Sequence, residues 1–207
     1  MALAARYIES VVEGLDLCPY ARPARLAGRV RVERVGTREG AVECAARVAV
    51  LARDAETEVI LLVFDLDPGD PRHGLRACEA FLREFQSLCR ADGGPAFYSV
   101  MFHPGIEDRV ARTTPDSLVR VIRRAPVPMI QCLRASAIDA VRGRAQSGAR
   151  ERLAADAPSG RWAVSDPVLS RDIALANFAR YGEGAGRRAL EELLQGLRPQ
   201  ADGKSDA

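Results

Sequence analysis

Residues Glu58 to Leu66, EVILLVFDL, are the most hydrophobic segment of this chain and constrain its fold more than any other stretch. A strand with one face in water alternates apolar and polar residues. A continuous β-branched-rich run of this length suits a central strand covered on both faces. Such a strand needs an apolar layer above it and another below. The flanking sequence offers helices for both.

Residues 3–14 read as a helix with Tyr7, Ile8, Val11 and Val12 on one side and Gly14 near its end. Leu17-Cys18-Pro19-Tyr20-Ala21 reads as a turn, because Pro19 removes a donor and turns Cys18 away from helical geometry. Val30 to Val35 alternates as a half-buried strand does. Thr37 is placed to cap a helix whose stripe is Ala41, Val42, Ala45, Val48, Ala49 and Leu51. After a turn at Asp67–Pro71, a strongly periodic helix carries Leu75, Cys78, Phe81, Leu82, Phe85, Leu88 and Cys89, and Gly93 and Gly94 stop it.

Ala96 to Phe102 reads as a third strand and Pro128 to Leu133 as a fourth. Between them, Thr114, Pro115 and Asp116 supply the cap, first-turn proline and dipole-matched acid of a short helix ending near Arg123. Ser136 is expected to cap a helix to about Gln146, and two more helices are expected over about Pro167–Tyr181 and Ala185–Leu197. The fold class is α/β or α+β. It is a single sandwich in which helices flank a mostly buried sheet of about four strands, followed by a C-terminal helical segment. One domain is expected over residues 1–197, with a disordered tail over 198–207.

Composition excludes several functions. A net charge of +2 with scattered aromatics gives no bulk drive towards nucleic acid. No apolar run approaches the ~20 residues that span a bilayer. The N-terminal stretch lacks the basic start and cleavage site of a secretory signal, so the expectation is a cytoplasmic protein without membrane contact. Five cysteines, an odd number without a close pair, argue against a disulfide framework or zinc cluster. Cys44, Cys78, Cys89 and Cys132 fall at apolar positions and read as core.

The candidate chemistry gathers between Ala96 and Arg134. His103 sits in the loop where the third strand ends, with Pro104 and Gly105 fixing the turn. That is a position from which a histidine can act as general acid or base, or ligate a metal; it can equally brace the turn by bonding backbone carbonyls. Cys18 precedes a proline and an aromatic, as in glutaredoxin sites, but Ala21 replaces the second cysteine. Only a monothiol role, with Arg22 and Arg25 beside it, is left, and the competing reading is a buried structural cysteine. Arg124 and Arg134 bracket the Pro126 and Pro128 segment, and guanidinium groups clamp carboxylates and phosphates bidentately. Arg123, Tyr20 and Arg22 complete the candidate substrate-binding set. Arg109, Arg112 and Arg120 also lie in the segment, and of these Arg109 and Arg120 read as a solvated face. No HxH, HExxH, CxxC, P-loop, GxGxxG or GxSxG pattern is present in a fitting context.

Taken in order, Leu17-Cys18-Pro19-Tyr20-Ala21, Phe102-His103-Pro104, Arg124-Ala125-Pro126-Val127-Pro128-Met129 and Leu133-Arg134 resemble an uncharacterised bacterial family, domain of unknown function 1415. The resemblance covers about residues 5–145. It implies that the site lies at these motifs and brings no activity with it. The family pattern carries a serine and an aromatic where this chain has Ala125 and Val127, a histidine at Gln131 and a glutamate at Ala135. The resemblance therefore implies a divergent member.

The leading expectation is a small cytoplasmic enzyme acting on an anionic small molecule. His103 would be an acid/base group or a single iron ligand, Arg124 and Arg134 would hold the anion, and Cys18 would stand near. A second expectation is a non-catalytic binding protein for a haem, metal or metabolite. A third is an interaction module that forms a homodimer through its C-terminal helices.

Overall fold

A computed structural model describes residues 1–91, 96–107, 113–137 and 167–198, the last stretch as main chain only through 172. The apolar run becomes strand β2 (Val59–Asp65). Its neighbours are β1 (Val30–Gly36), paired in parallel, and β4 (Met129–Arg134), paired antiparallel. Strand β3 (Phe97–Phe102) pairs antiparallel with β4, so the order is β1-β2-β4-β3.

The helices are α1 (Ala2–Tyr7), which runs into a π-helical stretch over Ile8–Glu13, α2 (Ala21–Leu26), α3 (Ala41–Leu51), α4 (Leu75–Ala91) and α5 (Pro115–Ile122). Two more follow, α6 (Pro167–Tyr181) and α7 (Gly184–Gly196). A 3-10 turn, Pro71–His73, leads into α4.

Both faces of β2 are covered, for the reason its sequence gives. Side chains alternate across a strand. Ile60, Leu62 and Phe64 pack with Val35, with Cys44 and Val48 of α3, and with Phe81 and Phe85 of α4. Leu61 and Val63 face the other way, into a cluster of Tyr7 and Val11, Leu118 and Val121 of α5, and Leu190 and Leu194 of α7. The molecule is a three-layer α/β arrangement, with α3 and α4 on one side of the sheet and α1, α5 and α7 on the other. Burying a side chain such as Leu62, fully enclosed, contributes about 1.5–3 kcal/mol.

The two rims of the sheet are capped by side chains. Arg47 of α3 donates to the Arg34 carbonyl of β1 at 2.7 Å, and Gln86 of α4 donates to the Ser99 carbonyl of β3 at 3.2 Å. These contacts occupy edge acceptors that would otherwise invite another strand.

Local signals hold at α5, where Thr114 accepts from the Ser117 amide at 3.1 Å and Ser117 returns a bond to the Thr114 amide at 2.8 Å. They fail at α3. Thr37 does not cap it; its hydroxyl accepts from the Asp67 amide at 2.8 Å, tying two loops together. The helix begins after Gly40, whose amide donates to Glu43 at 2.9 Å. In β1 the alternation slips. Val30 packs towards the face of α1, while Val35 turns to the opposite face and Val32 is left 44% exposed. The stretch Ile8–Glu13 falls within the helix expected over residues 3–14, though its π-helical geometry is not expected from the sequence, and neither is α2. Most of the helix expected from Ser136 to Gln146, and residues 199–207 of the expected tail, lie outside the described residues. Arg198 lies inside them.

Among the described residues, no helix is long and apolar enough to cross a membrane.

Candidate functional site

The register puts the ends of three strands at one edge of the sheet. Gly36 pairs with Asp65, Val63 with Met129, and Phe102 with Met129. The loops that follow β1, β2 and β3 and the loop that precedes β4 therefore meet there. This is the carboxyl end of the parallel pair, where open α/β sheets commonly bind ligands.

Arg72 organises the first half of that edge. Its guanidinium is 12% exposed and paired with Asp70 at 2.7 Å. It also donates to the carbonyls of Glu39 and Thr37, each at 2.7 Å, and lies 5.6 Å from the ring centres of both Phe64 and Phe81. That saturates the fork, and the Arg72 bond holds the Asp70 carboxyl below the usual carboxylate range. Arg72 is a clip between loops.

His103 is 1% exposed at the end of β3. The Gly105 amide donates to its Nδ1 at 2.9 Å, and its Nε2 donates to the Arg72 carbonyl at 3.3 Å. Those partners fix the neutral tautomer with the proton on Nε2. Burial pushes the imidazole below its ordinary value, which keeps it neutral at pH 7. The ring sits close to Gly105, where a Cβ would stand 3.1 Å from Nδ1, so a larger residue would press on the imidazole. Both ring nitrogens thus brace the main chain.

The second half of the edge is more open. A cavity of about 300 Å³ lies between the Pro104 turn, the Arg124–Pro126 segment and α7. Its lining includes Arg124, Arg198, Glu191 and Gln195 with Ala125 and Leu194. Arg124 Nε donates to the Ile106 carbonyl at 2.8 Å, which orients the guanidinium. Among the described residues neither Arg124 nor Arg198 has a carboxylate partner, whereas Glu191 is held by Arg187 at 2.7 Å.

The other candidates sit elsewhere. Arg134 is at the opposite end of β4, paired in register with Phe97, and is 8% exposed. It donates to the carbonyls of Thr57 at 2.7 Å, Ala52 at 2.9 Å and Asp54 at 2.8 Å, and stacks 5.3 Å from the Phe97 ring centre. Expected as a partner of Arg124 on one anion, it is instead a buried tie at the end of α3. Bracketing residues of a strand point to opposite ends of the sheet. Arg123 follows α5; its carbonyl accepts from the His103 amide at 3.0 Å, and burial lowers the basicity of its guanidinium, an effect that Tyr7 partly opposes.

Cys18, Tyr20 and Arg22 do not line the cavity. Cys18 is half-buried, and burial raises its thiol above the ordinary value although the Tyr20 and Ala21 amides bond to the sulfur. Arg22 and Arg25 both reach Glu13, Arg25 bidentately at 2.7 and 2.8 Å. They are engaged by that acid, which Arg25 holds below the usual carboxylate range. Helix α6 braces the turn, with Asn177 donating to the Leu17 carbonyl at 2.9 Å. None of the five cysteines forms a disulfide. Among the described residues no three His, Cys, Asp or Glu side chains converge as a metal site would need.

Sequence reasoning missed Glu191, Leu194, Gln195 and Arg198. Their one signal was the amphipathic stripe of α7, which says that a face is buried and nothing about which loop it meets.

A family model described as protein of unknown function, DUF1415, matches residues 2–151. The chain belongs to that family. The match spans the whole sheet, the His103 turn and Arg124. It stops before α6 and α7, so the family model covers only the loop side of the cavity. No curated protein and no solved structure gives a match.

Proposed function

We propose that this member of the family binds a small anionic molecule, a carboxylate or phosphate ester carrying an apolar group, in the cavity between Arg124 and Arg198. The observation that carries the reading is the pair of arginines without carboxylate partners among the described residues, on a partly apolar lining of Pro104, Ala125, Pro126 and Leu194. At about 300 Å³ the space suits a small metabolite and not a large cofactor. Guanidinium forks recognise planar carboxylates and phosphate oxygens geometrically, and the Ile106 carbonyl holds one fork ready.

Binding is the part of the function that the geometry supports. Neither catalytic candidate lines the cavity, and His103 already gives both nitrogens to the main chain. His103 therefore enters as a brace for the binding loop.

Calorimetric titration of the full chain with sulfate, phosphate and short mono- and dicarboxylates tests the reading. At least one should bind with a Kd below ~10 mM. Arg124→Gln should weaken it about tenfold or more. Equal binding by the variant, or no binding by any of these anions, overturns the proposal.

A further inference from the structure

His103 and Arg124 are joined by an unbroken run of short bonds. The Gly105 amide donates to the imidazole Nδ1 at 2.9 Å. The Ile106 amide donates to the His103 carbonyl at 3.2 Å, and the Ile106 carbonyl accepts from Arg124 Nε at 2.8 Å. The turn that orients the arginine is thus folded around an imidazole lone pair. A proton on Nδ1 turns that acceptor into a donor facing a donor.

We propose that His103 is a positioning residue for the anion cavity. Its neutral ring sets the Pro104–Gly105–Ile106 turn that aims Arg124, and protonation of the ring weakens anion binding there. The proposal rests on the anion-binding reading above and gives that site a dependence on pH.

The surroundings decide where the switch acts. Burial disfavours the charged ring, and His73 in the 3-10 turn adds repulsion. The Arg72 and His73 main chain and the Glu79 carboxylate on α4 act in the other direction, less strongly than burial. Arg72's own guanidinium is turned away onto Asp70, and Arg123 offers the ring's residue only its carbonyl. The net effect places protonation below the ordinary histidine range. Above that range the cavity is set, and in mild acid it loosens. A charged ring would also attract the anion, but it lies outside the cavity lining and acts at a distance through a screened medium. The loss of the local bond outweighs it.

Sulfate is the right probe, since its charge is constant over the range used. In wild-type protein its affinity should stay level from about pH 8 to 7 and fall, by up to roughly tenfold, as pH drops below the ordinary histidine range. His103→Asn, whose side-chain oxygen replaces the Nδ1 acceptor without titrating, should bind at pH 8 and keep that affinity in acid. A level wild-type profile, or the same fall in His103→Asn, overturns the proposal. No sulfate binding by the wild type at pH 8 overturns the anion site itself, and this inference with it.

A second measurement needs no His103 variant. Linkage is reciprocal, so saturating sulfate must shift the His103 titration to lower pH. Proton NMR can follow it, because the chain has only two histidines and His73→Gln assigns them. An unshifted titration in the presence of bound sulfate overturns the proposal.

Discussion

Replacing Arg134 by methionine separates a structural arginine from a ligand-binding one. The side chain donates to three carbonyls. Two of these belong to enclosed residues, Thr57 at 0% and Ala52 at 4% exposure. The third, on the exposed Asp54, can turn to water. Each buried acceptor left without a donor costs about 1–3 kcal/mol. Methionine keeps some of the contact with Phe97 and removes a desolvated cation, which offsets part of that cost. The expected loss is about 2–5 kcal/mol, or roughly 5–15 °C in Tm for a domain of this size. Urea denaturation at pH 7 measures it, and calorimetry with sulfate gives the second readout. Arg134→Met should keep its anion affinity, while Arg124→Gln should keep its stability and lose affinity. A variant of Arg134 that is as stable as the wild type and no longer binds anions would refute the reasoning.

Three further outcomes follow from the same contacts. Glu13→Gln should lose about 1–2 kcal/mol at neutral pH, because it strips the bidentate pairing with the partly exposed Arg25 from a carboxyl side chain that is 2% exposed. Arg25 lowers that carboxyl, so its contribution is present above the ordinary carboxylate range and fades as pH falls through the lowered value. The variant and wild-type unfolding curves should therefore converge in acid, and a constant gap at low pH would contradict the pair. For His103 the sign is set by a depressed imidazole: the unfolded chain takes the proton first, so wild-type stability should fall as pH drops below about 6.5, and His103→Asn should lack that component in urea titrations. In a thiol titration at pH 8, Cys44 and Cys78, pushed up to about 11, and Cys132, pushed up to about 12, should stay unreactive until the protein unfolds. Rapid labelling of Cys132 in native protein would contradict its burial.

The sequence carried what is local and strongly patterned. The unbroken, β-branched-rich run around Leu61–Phe64 suited a strand covered on both sides. The α4 stripe and the Thr114–Pro115–Asp116 cap depend on neighbours within a turn or two. Strand order was not legible, since the parallel partner β1 and the antiparallel partner β4 are chosen by packing between distant segments. The site divides in the same way. His103 at a strand end, next to Pro104 and Gly105, could be read as special, but which atoms its nitrogens meet is a tertiary matter. Arg124 and Arg134 look alike in sequence. Only the pairing of β4 sends one to the cavity and the other beneath α3. The far wall of the cavity comes from α7, whose pattern could not say which loop it would cover.

The face of the sheet opposite α3 and α4 is built from both ends of the chain. Ala4, Tyr7 and Val11 share one cluster with Leu190, Leu194 and Leu197, and Tyr181 donates to the Leu15 carbonyl at 2.8 Å. The α3–α4 side, by contrast, draws its cluster from Val35 to Cys132. During synthesis that side can close while the last helices are still inside the ribosome. The opposite side can be covered only in part by α1 and α5, and Leu61, Val63 and Met129 gain the rest of their cluster when α7 emerges. The nascent protein therefore passes through a stage with one finished layer and one half-covered apolar sheet face, the kind of surface on which chaperones act.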